Sequence, residues 1–140
     1  MAHFQCQQKV QFQHCDPAGI VFYPRYFEMI NSVVENWFDE GLNIPFSILH
    51  MERGSAIPTA TINTQFKAPS RLDDRLDMAM TLLKLGGASL DLEIEATCGS
   101  ETRFHCALTL VHVKMVDGRP KAWPEDIRSM IEHLMKETRS

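Results

Sequence analysis

A chain of 140 residues, 44% hydrophobic and 23% charged, has material for one soluble domain with a modest core. Its formal charge of −4 gives no electrostatic footing for binding nucleic acid or an anionic membrane, and its apolar runs are too short to cross a bilayer. The opening MAHFQCQQKV lacks the apolar core of a signal peptide, and four cysteines (Cys6, Cys15, Cys98, Cys106) without a CxxC pair predict reduced thiols in a cytoplasmic protein.

The first element is a strand. Phe4, Cys6, Val10 and Phe12 alternate with glutamines and Lys9, the period-2 pattern of a half-buried strand. A loop follows from His14 to Tyr23. From Pro24 the period becomes helical: Tyr26, Phe27, Ile30, Val33, Val34, Trp37 and Phe38 form a broad apolar stripe. Pro24 suits the first helical position, where its missing N–H would be unpaired anyway, and Gly41 suits the stop. The stripe is wide enough that other structure must wrap the helix. NIPFSILHMERGS reads as a loop with room for one helical turn.

Strands dominate the second half. Ala60, Ile62, Thr64 and Phe66 alternate, then Leu76 to Leu82, then Leu90 to Cys98, then Phe104 to Leu110. KAPSRLDD, Gly86-Gly87 and Asp117-Gly118 supply the turns. A short helix opens at Pro124, with Ile127, Met130, Ile131, Leu134 and Met135 on one face. One strand, one long helix, about four strands in short succession and a final helix make an α+β domain with a mostly antiparallel sheet. No repeat or linker divides it, so residues 1–140 read as one domain.

HCDPAGIVFYPRYF, residues 14–27, carries the chemistry. Asp, Pro and Gly in DPAG are good turn formers, and that alone would explain Asp16. The turn, however, leads into the positive end of a helix, where backbone N–H groups lack partners. A carboxylate beside free N–H donors suits acyl transfer: the first attacks or activates water, and the second holds a developing oxyanion.

The same stretch resembles the signature of the 4-hydroxybenzoyl-CoA thioesterase family, and APSRLDD resembles the segment that ends that family's second strand. The resemblance extends over essentially the whole chain. It implies the hotdog fold, a five- or six-stranded antiparallel sheet wrapped around the long helix. It implies hydrolysis of an acyl thioester of coenzyme A or acyl carrier protein, with no cofactor beyond the coenzyme A of the substrate. It places the catalytic carboxylate on Asp16 and the carbonyl-polarising backbone N–H at or next to Tyr23. It also implies a dimer, or a tetramer of two dimers, with active sites at the interface.

Other residues weigh less. His14, two residues before Asp16, would share its side in an extended chain, where it could tune the carboxylate or contact substrate, although a polar cap of the strand end explains it as well. Gly19 completes the turn. Lys67, with Arg71 and Arg75, and Lys84 are surface cations that could clamp the phosphates of CoA. The turn KLGGAS is less basic than in some CoA-using relatives, since Lys84 stands there alone. His105, Cys106 and His112 do not converge along one strand, so no metal site is expected. A hydratase of the same fold would pair an Asp with a His a few residues on, and after Asp16 the next histidine is His50. A non-catalytic acyl-binding module remains a rival that a thioester hydrolysis screen would separate.

Overall fold

The computed structural model describes residues 2–137. Its sheet contains β1 (Phe4–Lys9), β3 (Thr59–Phe66), β4 (Arg75–Leu85), β5 (Ser89–Cys98) and β6 (Glu101–Val111), in the order β1-β4-β5-β6-β3 with every neighbouring pair antiparallel. Two short strands, β2 (Ser55–Ala56) and β7 (Val113–Lys114), form a separate ribbon. Helix α1 (Pro24–Asn36) lies against the inner face of the sheet, and α2 (Glu125–Glu137) closes the chain. This is the hotdog arrangement.

The period-2 pattern sets which side faces the helix. Leu76, Met78, Met80 and Leu82 on β4, Leu90, Leu92, Ile94 and Ala96 on β5, and Phe104, Cys106, Leu108 and Leu110 on β6 are all buried. Onto them α1 sets Tyr26, Met29, Ile30, Val33 and Val34. Burying side chains of this size contributes roughly 1.5–3 kcal/mol each, which fixes strand register and helix rotation together. The helix widens into one π turn, Trp37–Gly41, with Trp37 and Phe38 fully buried. Gly41 ends it for lack of room rather than for its dihedral: an added Cβ would lie 2.5 Å from the Trp37 ring. The left-handed residue is Asn43, with φ 57°.

Three sequence expectations change. The first strand stops at Lys9, and Phe12 sits in a short 3₁₀ turn (Phe12–His14), 83% exposed, because the chain leaves the sheet after Val10. The final helix is 13 residues, as long as the regular part of α1, and packs Ile127 and Ile131 into the core. The segment from Ile44 to Gly54 does contain its helical turn (Ser47–Glu52), but a ribbon follows that no pattern announced.

A buried polar pair holds that ribbon. His112 Nδ1 donates to the Lys121 carbonyl at 2.7 Å, so its Nε2 accepts the Ser55 hydroxyl at 2.9 Å. Both side chains are about 1% exposed. Ser55→Ala leaves the imidazole nitrogen buried without a partner, an expected loss of about 1–3 kcal/mol. Urea denaturation checks this; a midpoint equal to that of the wild type would remove the pair from the account of stability.

Candidate active site

The stretch between β1 and α1 is built by hydrogen bonds outside regular structure. The Val10 N–H donates to the Asp74 carbonyl and the Asp73 N–H to the Val10 carbonyl, so the LDD turn clamps the end of β1. The clamp is itself anchored: Asp74 accepts Arg103 at 2.7 Å and the Arg71 N–H at 2.9 Å, which hold its carboxyl below the usual carboxylate range. Beyond the clamp the Gln11 N–H donates to His14 Nδ1 at 2.8 Å, closing the 3₁₀ turn. The Phe22 N–H then donates to the His14 carbonyl and the Val21 N–H to the Ser70 carbonyl, so the APSR segment lies directly beneath the approach to α1.

Asp16 sits in the hairpin-like turn between Cys15 and Val21, which pair with each other. Its Oδ1 accepts the Ala18 N–H at 2.9 Å and the Ile20 N–H at 3.4 Å. Gly19 supplies the positive φ, 82°, with no neighbour near enough to crowd a side chain, so backbone geometry alone selects glycine. The turn therefore uses one carboxylate oxygen. Among the described residues none hydrogen-bonds the other, Oδ2.

Tyr23 precedes Pro24 at the start of α1. The Arg25 and Tyr26 N–H groups are satisfied by the Phe22 and Tyr23 carbonyls, and Pro24 has none. The Tyr23 N–H is left with no acceptor among the described residues. Beside it runs an apolar cleft of about 300 Å³, lined by Ile20, Val21, Tyr23, Tyr26, Phe66 and Lys67. Phe66 is the hub of its aromatic wall, with ring centroids 5.7 Å from Tyr26, 6.1 Å from Tyr23 and 6.3 Å from Phe27.

The structure thus brings Asp16, Gly19, Tyr23 and Lys67 to one end of the sheet. His14 is close in sequence but faces a different, polar cleft, with Arg25 and Glu28. Lys84 is not brought there. It pairs with Asp91, whereas Lys67 bonds through its N–H to Arg103, at the level of Thr97 on β5. Six residues of strand separate those levels, roughly 20 Å. Sequence reasoning missed Phe66 as a site wall: its alternation marked it as core, and only the sheet order shows that it stands on an edge. Gln11 carried no signal, because its role lies in one backbone N–H. Among the described residues no three His, Cys, Asp or Glu side chains gather as a metal site would require; His105 faces outward to Glu93 while Cys106 and His112 are buried.

A sheet wrapped around one helix, with an open N–H at the helix start beside a carboxylate turn, defines a hotdog-fold protein with a site at that helix end. The chain belongs to the thioesterase-like superfamily, whose family model matches residues 10–131. A curated relative, the 4-hydroxybenzoyl-CoA thioesterase of Pseudomonas sp. (strain CBS-3), is 34% identical over 71 residues, which span half of this chain and half of that enzyme. Among solved structures, a gentisyl-coenzyme A thioesterase superposes with a TM-score of 0.81 at 23% identity, covering 89% of this chain and 99% of its own. A 1,4-dihydroxy-2-naphthoyl-CoA thioesterase from Synechocystis gives 0.80 at 18% identity, with 91% and 94% covered. A Staphylococcus aureus protein in complex with CoA gives 0.86 at 17%, with 95% and 84% covered.

Burial pushes His14 below its ordinary pKa of 6.5; Glu28 opposes this and Arg25 adds to it. The unfolded chain takes up a proton near 6.5 that the folded chain refuses. The stability held by neutral His14 is therefore complete above that pH and is lost as the pH falls from it through the lower folded value. Asp74 and Asp126, whose carboxyls Arg103 and Arg53 hold below 3.8, act in a separate and more acid window. The melting temperature should drop more between pH 7.5 and pH 5.5 in wild type than in His14→Asn. Parallel curves would show that His14 carries no such linkage.

Proposed function

We propose that this protein hydrolyses acyl-CoA thioesters, with an uncharged aromatic or short-to-medium acyl group. The observation that carries the reading is the pairing of an open Tyr23 N–H with an Asp16 carboxylate that keeps one oxygen outside its turn. The thioester carbonyl oxygen accepts the Tyr23 N–H, strengthened by the positive end of α1, and that bond tightens as the oxygen becomes an oxyanion. Asp16 either attacks the carbonyl carbon, so that the C–S bond breaks, CoA leaves as the thiolate and an acyl–Asp16 anhydride remains for water to open, or takes a proton from a water that attacks the carbonyl carbon and displaces the thiolate. Either route ends in carboxylic acid and free CoA. Transfer of ¹⁸O from solvent into Asp16 under single turnover separates the two. The supply of substrate from a cytoplasmic CoA pool accords with four free thiols.

Asn preserves the turn geometry but not the charge or the basicity of Asp16. Asp16→Asn is expected to fold and to lose ~10²–10⁴ in kcat, the usual cost of a removed general base, with KM much less affected. Retention of more than about a tenth of wild-type kcat would refute the assignment.

Assembly belongs to the same proposal. On β3, Ile62 and Phe66 face inward with the core pattern yet stay 42% and 47% exposed, because no strand lies beyond them. We assign this edge to a second copy, as open edges with apolar side chains are normally covered. A two-fold axis at β3 reverses the partner's strands, so the end of its sheet that carries Lys84 comes to the end of this chain's sheet that carries Tyr23 and Lys67. Both lysines then serve the phosphates of one CoA, from two subunits. Two such dimers packed together make the tetramer. Sedimentation should give a dimer or tetramer at micromolar concentration; a 16.0 kDa species would refute it.

A further inference from the structure

The loop 67–74 joins β3 to β4 and carries the approach to the candidate site. Its Asp73 and Asp74 clamp Val10, its Ser70 carbonyl accepts the Val21 N–H, and its Arg71 pairs with Ile20. One residue fixes this loop at both ends. The Arg103 carbonyl accepts the Lys67 and Ala68 N–H groups, at 2.8 and 3.2 Å, where the loop begins. The Arg103 guanidinium meets the Asp74 carboxylate at 2.7 Å, where the loop ends. We propose that Arg103 is a positioning residue for the reaction: by gripping the loop at both ends it holds the Asp16 turn against the Tyr23 N–H. The proposal rests on the hydrolytic reading above.

The sheet makes a local exception for this side chain. On β6, Phe104 pairs with Ala96 and Thr102 with Thr97, so Arg103 is the extra residue of a bulge. A bulge takes one residue out of the alternation and re-aims its side chain. Here the guanidinium crosses the level of β5, which lies between β6 and β4, to reach Asp74 just ahead of β4. The Arg103 side chain is 11% exposed, and Glu101 stands 2.7 Å from its Nε. A charged pair shielded to this degree holds geometry better than an exposed one. Asp74 also accepts the Arg71 N–H at 2.9 Å, so the ion pair fixes the loop backbone as well as the carboxylate.

The consequence falls on rate rather than on binding. The Arg103 carbonyl survives any side-chain replacement, so Lys67 and the cleft beside it keep their place. The other end of the loop loses its anchor when the guanidinium is removed. Val10 and Val21 are bonded to that stretch, and they bracket the Asp16 turn in the chain. A displacement of about 1 Å between reacting groups can cost on the order of 10²-fold in rate, even when its cause lies away from the chemistry.

The test compares Arg103→Met, Arg103→Lys and Asp74→Asn with wild type on benzoyl-CoA and hexanoyl-CoA. Arg103→Met and Asp74→Asn should lose on the order of 10–10² in kcat, with KM within about threefold of wild type. Arg103→Lys keeps a charge within reach of Asp74 and should recover most of the loss. Ser55→Ala, destabilised at the remote ribbon, should keep the wild-type kcat, which separates positioning from stability. Amide hydrogen exchange adds a readout without substrate. The Val10 and Val21 N–H groups should exchange at least about tenfold faster in Arg103→Met, while those of β5 keep their rates. Asp74→Asn keeps an acceptor for the Arg71 N–H and carries the same test should Arg103→Met fail to fold. A folded variant with kcat within about twofold of wild type, an equal loss in Ser55→Ala, or unchanged exchange at Val10 and Val21 overturns the proposal. If wild type hydrolyses neither thioester, the hydrolytic reading falls and exchange alone decides: faster exchange keeps Arg103 as the anchor of this segment, and unchanged exchange removes it.

Discussion

Between Lys9 and Pro24 the chain has left the sheet and not yet entered the helix, so its buried backbone groups must find partners one by one. The bonds that do this are few and specific. Val10 is clamped by Asp73 and Asp74, Gln11 by the His14 ring, Phe22 by the His14 carbonyl and Val21 by Ser70. The Val10 and Val21 bonds tie the segment to the Ser70–Asp74 stretch, and the two to His14 close it on itself. Together they fix where the Asp16 turn stands relative to the first N–H of α1, and the candidate chemistry depends on that distance and direction. The APSRLDD stretch, far away in sequence, works as the floor and clamp of this segment.

The site also reflects how the core is divided. Helix α1 gives its full apolar stripe to the sheet, which holds its axis and rotation without help from the site. Its first turn is then free to present Tyr23 and Arg25 to solvent-facing clefts. Proline removes one N–H from competition, and the two that follow turn back onto Phe22 and Tyr23. The Tyr23 N–H is left over by this arithmetic, at the point where the helix dipole is most positive.

The sheet is unequal across its width. Its central strands bury every inward side chain, while β3 carries the same alternation with nothing beyond it. An edge with inward-pointing Ile62 and Phe66 is a surface made for covering, and the aromatic wall of the candidate site is part of that edge. The candidate site and the open edge share one residue, Phe66, which touches Tyr23, Tyr26 and Phe27.

By itself the sequence determined the fold class, the element order and the long helix, because alternation with period 2 and period 3.6 is local and each run is long enough to be unambiguous. It also singled out Asp16 and Tyr23, since DPAG followed by a proline-led helix is a local pattern and a family signature. It did not determine where the first strand ends. Phe12 keeps the alternation, yet the Asp73–Asp74 clamp and the His14 ring turn the chain away before it. Nor did it show that His14 and Arg25 share a cleft, that Lys67 and Lys84 lie at opposite ends of the sheet, or that Ser55 and His112 meet in the interior. Apart from the local Gln11–His14 bond, those facts depend on residues far apart in sequence, whose relative places are set only when the strands take their order. Periodicity records which side of an element is apolar. Which element lies across from it is decided by burying all the apolar faces at once, and that is a property of the whole chain.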